Sequence, residues 1–122
     1  METQFPIIKQ KDCLIVPLQF ALLDSDLLRL RDVLADKVGR LRARGVIIDV
    51  TALDVIDSFA CRTLQSMAQV NRLRGAETII VGIQPEVAFA MVQLGLSVKD
   101  VRTMLDAEEA MEALEARTGE GG

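Results

Sequence analysis

Val46-Ile47-Ile48-Asp49-Val50-Thr51-Ala52-Leu53-Asp54-Val55-Ile56-Asp57-Ser58-Phe59-Ala60 is the stretch that decides how this chain folds. Four of its first five residues are β-branched hydrophobes, the composition of a strand buried on both faces. After Val50 the apolar run breaks, and Asp57-Ser58 stands directly ahead of a segment with helical periodicity. Aspartate and serine are N-cap residues, because a short side-chain oxygen can accept one of the free N–H groups of a first helical turn. The stretch therefore reads as strand, loop and helix, half of an α/β unit. A serine hydroxyl at that junction can serve as a helix cap or as a phosphate switch.

The same alternation continues on both sides. Upstream, Leu27, Leu30, Leu34, Val38 and Leu41 recur at steps of three and four, which predicts an amphipathic helix from about Asp24 or Ser25 to Ala43, ended by Gly45. Ahead of it, Phe5–Lys9 and Cys13–Pro17 form a hairpin around Gln10-Lys11-Asp12, with Pro6 suited to an edge strand. Downstream, Ser58 to Arg74 is a helix with Ala60, Cys61, Leu64, Met67, Ala68 and Leu73 on one face, closed by Gly75. Glu77 to Val81 is the next strand. Pro85 opens a helix at the position where its missing N–H costs nothing, Val87, Met91, Val92 and Leu94 supply its buried stripe, and Gly95 stops it. Val101 to Met104 is a short last strand, and Asp106 with Glu109 gives a capping-box-like start to a final helix bearing Ala110, Met111 and Leu114.

The order β-β-α-β-α-β-α-β-α implies an α/β fold: a mixed, mostly parallel sheet of about five strands with an N-terminal hairpin and four helices. No linker or repeat divides it, so a single domain is expected over residues 1–117, with 118–122 as a flexible tail. Half of the 122 residues are hydrophobic, enough for one real core. In such sheets function collects in the loops after the carboxyl ends of strands, and Asp49 through Ser58 lies in one of them.

Composition removes many chemistries. The chain has no His, Trp or Tyr, so it cannot build a Ser-His-Asp triad, a histidine metal site or a tyrosine acid. A non-enzymatic role is expected. The net charge of -4, with only Phe as aromatic, argues against a nucleic-acid surface, which needs clustered cations and stacking rings. Cys13 and Cys61 are far apart and form no Cys-x-x-Cys pair, so both read as buried small hydrophobes. Apolar runs fall well short of the roughly 20 residues that cross a bilayer, and Met1-Glu2-Thr3-Gln4 has no basic leader character. A cytoplasmic location with no cofactor and no metal is expected.

Three carboxylates, Asp49, Asp54 and Asp57, approach the helix start and raise a magnesium or aspartyl-phosphate site as an alternative. A receiver of that kind needs an acidic pair after an earlier strand, where this chain has Leu18-Gln19-Phe20. A helix cap at Asp57 is the simpler reading. At Ser58 a cap is likewise the commoner role, while a phosphate there would sit on the positive end of the helix dipole among free N–H groups. Phe59 is either a core anchor or an exposed contact. Met91 and Leu94-Gly95-Leu96 pose the same choice toward a neighbouring subunit.

With Ile48-Asp49-Val50-Thr51, Leu53 through Phe59, Gly75-Ala76-Glu77 and Val81-Gly82-Ile83-Gln84-Pro85-Glu86-Val87-Ala88 in this order, the chain resembles the STAS domain of anti-sigma factor antagonists over about residues 5–117. Within that family it is most similar to the RsbS-type scaffolds of the bacterial stressosome. The resemblance implies a phosphorylation site at Ser58, with Asp57 shaping its surroundings and Asp54, Asp57 and Phe59 meeting the kinase or another subunit. It implies an RsbT-type serine/threonine kinase, RsbR-type STAS paralogues, a PP2C-type phosphatase and self-association as partners. The expected function is to sequester the kinase and release it on phosphorylation. Because the sequence opens directly on its first strand, a scaffold without a sensor domain is expected. The alternative is a stand-alone antagonist that binds an anti-sigma kinase. Such antagonists carry Asp-Ser-Ser-Gly at the switch, whereas this chain has Asp57-Ser58-Phe59-Ala60.

Overall fold

The computed structural model describes residues 5–19, 22–96 and 101–121, with side chains as far as residue 116. Met1 to Gln4 and Gly122 lie outside the described residues. The elements run β1 (Ile8–Gln10), β2 (Cys13–Pro17), α1 (Asp24–Leu41), β3 (Gly45–Asp49), α2 (Ser58–Leu73), β4 (Glu77–Val81), α3 (Pro85–Gln93), β5 (Arg102–Met104) and α4 (Ala107–Gly121). Helical backbone thus continues past Thr118, where a tail was expected.

The five strands form one sheet in the order β1-β2-β3-β4-β5. Only β1 is antiparallel, paired to β2 through Ile8↔Ile15 and Gln10↔Cys13, while β2 to β5 are parallel. Parallel strands that neighbour in sequence order and are joined by right-handed crossovers put every crossover helix on the same face. Accordingly Leu30, Leu34 and Val38 of α1, Cys61, Leu64 and Met67 of α2 and Val87 and Met91 of α3 share one cluster with Val46, Ile48 and Ile80. The alternate residues Ile47, Ile79 and Val81 point the other way, onto Ala110, Met111 and Leu114 of α4. Both faces of the central strands are therefore covered, and burial of each large aliphatic side chain contributes about 1.5–3 kcal/mol.

Several sequence expectations are corrected. Phe5, Pro6 and Ile7 precede β1, which is three residues long. Helix α1 ends at Leu41 because Arg42, not Gly45, takes the left-handed conformation, with φ 52°. The chain must turn there, since Arg44 already bridges the neighbouring strands: its N–H donates to the Asp12 carbonyl at 2.7 Å and its own carbonyl accepts from Glu77 at 3.0 Å. Gly45 is instead a buried strand residue against which Leu114 packs. Leu41, Leu73, Val92 and Leu94 are exposed, Leu73 and Val92 by 89% and 78%. In α2 the buried stripe runs through Thr63 and Asn71. Asn71 lies inside because its side-chain Nδ2 donates to Thr78 Oγ1 at 3.0 Å, while its backbone carbonyl accepts the Ala76 N–H at 2.9 Å. Gly75 and Gly95 do close α2 and α3 with positive φ, and Asp106 Oδ1 caps α4 through the Glu109 N–H at 2.8 Å.

Candidate functional site

The loop from Val50 to Asp57 leaves the carboxyl end of β3 and enters α2. Asp49, the last residue of β3, accepts both the backbone N–H and the hydroxyl of Thr51 on Oδ1, at 2.9 and 2.5 Å. This Asx-type turn fixes the root of the loop. Leu53 donates back to the Val50 carbonyl at 2.9 Å, and Leu53 and Ile56 pack against the core. Their neighbours Asp54 and Val55 are exposed as a result.

Asp57 has extended backbone (φ -104°, ψ 175°) and its Oδ1 accepts the Ala60 N–H at 2.8 Å. It is the N-cap. Ser58 is therefore the first helical residue and not the cap, a correction to the sequence reading that follows from backbone geometry. Its side chain is exposed, beside the exposed Asp57. Phe59 is half-buried and packs against the core cluster, so at most its edge is free for a partner. Asp54, Asp57 and Ser58 are all exposed, whereas Asp49 Oδ1 is engaged by Thr51. Among the described residues no group of three or more His, Cys, Asp and Glu side chains has metal-site geometry.

A cleft of about 240 Å³ opens beside the loop, lined by Leu18, Leu22, Leu27, Leu53, Ile56 and Ala60 together with the carboxylates Asp24 and Asp57. Cys13 and Cys61 are free and buried, as read from sequence. Burial is the main cause that pushes both thiols up, with the nearby carboxylates Asp12 and Glu115 adding at Cys13 and Asp57 at Cys61.

Sequence reasoning missed a second contact to the loop. Gln84 Nε2 donates to the Thr51 carbonyl at 2.7 Å. Gly82, with φ 75°, sits against Thr51 so closely that a Cβ there would overlap the threonine hydroxyl. The Gly82-Ile83-Gln84-Pro85 run was the available signal, read only as a mark of resemblance.

The STAS domain family model matches residues 4–110. This chain belongs to the STAS domain family. As a STAS domain it is similar to the RsbT co-antagonist protein RsbRA of Bacillus subtilis (strain 168), 32% identical over 75 residues, 62% of this chain and 27% of that protein. RsbRD of the same organism is 28% identical over 76 residues. The chain spans about a quarter of the length of these relatives. Among solved structures, RsbS S58E of Moorella thermoacetica superposes with a TM-score of 0.84 at 26% identity, covering 95% of this chain and 98% of that one. A chain from the structure described as the molecular architecture of the stressosome, a signal integration and transduction hub, gives 0.82 at 27%, covering 93% and 98%. Among the described residues no helix is long and apolar enough to cross a membrane.

Proposed function

We propose that this STAS domain is a stressosome-type scaffold that sequesters an RsbT-type serine/threonine kinase and releases it when Ser58 is phosphorylated. The observation that carries the reading is the division of labour at the start of α2: Asp57 caps the helix, and the adjacent Ser58 is exposed and free of that task. A modifiable hydroxyl is best placed where the fold does not depend on it. The superposition on RsbS and on a stressosome chain supports a stressosome-type STAS protein.

A phosphate on Ser58 would add about -1.5 to -2 charge next to Asp54 and Asp57. The helix N-terminus tolerates that charge, since the first-turn N–H groups and the dipole favour an anion. The fold is retained, and the change is felt at the surface. A kinase face docked over Asp54, Asp57 and the edge of Phe59 would meet a denser negative patch and lose contact. The domain acts as substrate, not enzyme. A PP2C-type phosphatase resets it, RsbR-type paralogues and further copies complete the assembly, and the location is cytoplasmic.

Size-exclusion chromatography of the chain mixed with an RsbR-type paralogue tests the scaffold role. Co-elution in a megadalton-scale particle is expected. Separate elution of two small species would overturn it in favour of a stand-alone antagonist.

A further inference from the structure

We propose that Gln84 and Gly82 are positioning residues for Ser58: they lock Thr51 at the root of the phosphoacceptor loop, so that a kinase meets the loop in one pose. The inference rests on the reading of Ser58 as a phosphoacceptor. It starts from a convergence on Thr51 of groups distant in sequence. The Thr51 N–H and hydroxyl are held by Asp49 Oδ1, and its carbonyl accepts the Gln84 amide at 2.7 Å. Beside it, the Val50 N–H donates to the Val81 carbonyl at 3.0 Å. Threonine donors and acceptor are thus all engaged, across the ends of β3 and β4.

Gly82 makes that approach possible. Its φ of 75° disfavours any side chain, and a Cβ would overlap Thr51 Oγ1 and lie 3.1 Å from Asp49 Oδ1. Gln84 is itself fixed at its base, because it is the N-cap of α3 and its carbonyl accepts the Ala88 N–H at 2.9 Å. The loop is therefore tied at its root by Thr51, in its middle by Leu53 and Ile56 against the core, and at its end by the Asp57 cap. The middle and end ties come from the loop's own side chains. The Gln84 tie comes from α3, so the pose of the Ser58 loop depends on where α3 begins.

Losing the Gln84 donor leaves the Thr51 carbonyl to water, and the loop then samples other poses. A substrate competent only part of the time binds more weakly in proportion to that fraction, while the phosphoryl-transfer step on the bound form is unchanged. Loss of one such hydrogen bond corresponds to about a fivefold effect.

The test measures Ser58 labelling kinetics with an RsbT-type kinase and magnesium-ATP on the intact chain, comparing wild type, Gln84→Ala, Gln84→Met and the exposed α1 control Arg29→Ala. Gln84→Met keeps the side-chain length without the donor and guards against a packing defect in the alanine variant. KM for the protein substrate is expected to rise about fivefold in both Gln84 variants, with kcat within about twofold and Arg29→Ala unchanged. Hydrogen exchange without kinase should be faster over residues 51–57 in the Gln84 variants and unchanged over residues 13–17. Equal KM across all four proteins, or equal exchange over 51–57, would overturn the positioning role while leaving Ser58 as acceptor. A wild type that is not labelled at Ser58 would overturn the acceptor reading and this inference together.

Discussion

Asp57 Oδ1 accepts the Ala60 N–H at 2.8 Å while the Asp57 carbonyl accepts from Cys61 at 3.1 Å, so one residue closes the first turn of α2 and its neighbour Ser58 is left exposed. The two side chains stand next to each other with separate duties. One holds the helix, and the other is open to a partner.

That separation has a measurable consequence for stability. Asp57→Ala removes a capping acceptor and should cost about 1 kcal/mol, within a range of roughly 0.5–2 kcal/mol, whereas Ser58→Ala should change stability by less than about 0.5 kcal/mol. Urea unfolding of the two variants beside wild type reads the difference. Equal losses would mean that Ser58 shares the cap.

Function should respond in the opposite order. Ser58→Asp places a carboxylate beside Asp57 and Asp54 without removing the cap, so the domain stays folded while capture of an RsbT-type kinase weakens. A pull-down combined with circular dichroism checks both halves. Undiminished capture by a folded Ser58→Asp protein would rule out repulsion as the release mechanism.

On the opposite face of the sheet, Gly45 and Leu114 hold α4 against β3. A Cβ on Gly45 would overlap Leu114 Cδ1 and approach Cγ to 3.2 Å. Gly45→Ala should cost about 1–3 kcal/mol by overpacking, and Leu114→Ala about 2–5 kcal/mol by opening a cavity. Since the new methyl would fall in the space vacated by Leu114, the double variant should lose less than the sum. Strict additivity in denaturant titrations would show that the two sites do not meet.

The buried thiols make stability sensitive to alkali. Both are pushed above the ordinary thiol value of 9.0, chiefly by burial. Above about pH 9 the unfolded chain gives up thiol protons that the folded chain keeps, so unfolding releases protons and stability falls as pH rises. Well below that pH both states hold the protons and the contribution is constant. Lys11, raised above 10.5 by its hydrogen bond to Glu115, adds a loss of the same sign at still higher pH. The urea midpoint should therefore drop as pH rises past about 9, with a shallower drop in a Cys13→Ala/Cys61→Ala double variant. The same slope in both proteins would assign the effect to other groups.

The strands and helices were legible in sequence because their residues state their own surroundings. Cys13–Pro17 and Glu77–Val81 fall where the apolar runs place them, and the Val46-to-Val50 run is offset by one residue from the observed Gly45–Asp49. The failures trace to specific contacts and backbone angles that hydrophobic periodicity does not register. Arg42 rather than Gly45 turns the chain after α1 because Arg44 is already bonded to Asp12 and Glu77. Asn71 is buried in place of Leu73 because its amide finds Thr78, which a count of hydrophobic residues cannot register. At the site, Asp57-Ser58 announced a helix start, but which of the two caps it depends on backbone angles. For the Thr51–Gln84 bond, between segments 33 positions apart, the Gly82-to-Pro85 run marked one partner but nothing local named the other.

Everything proposed for the switch depends on Ser58 being the residue on which the kinase acts. Incubation of the full chain with an RsbT-type kinase and magnesium-ATP, followed by mass-spectrometric mapping, tests it most directly. A single phosphate is expected in the peptide containing Ser58, with no labelling of Ser58→Ala. Equal phosphate incorporation into wild type and Ser58→Ala would contradict it.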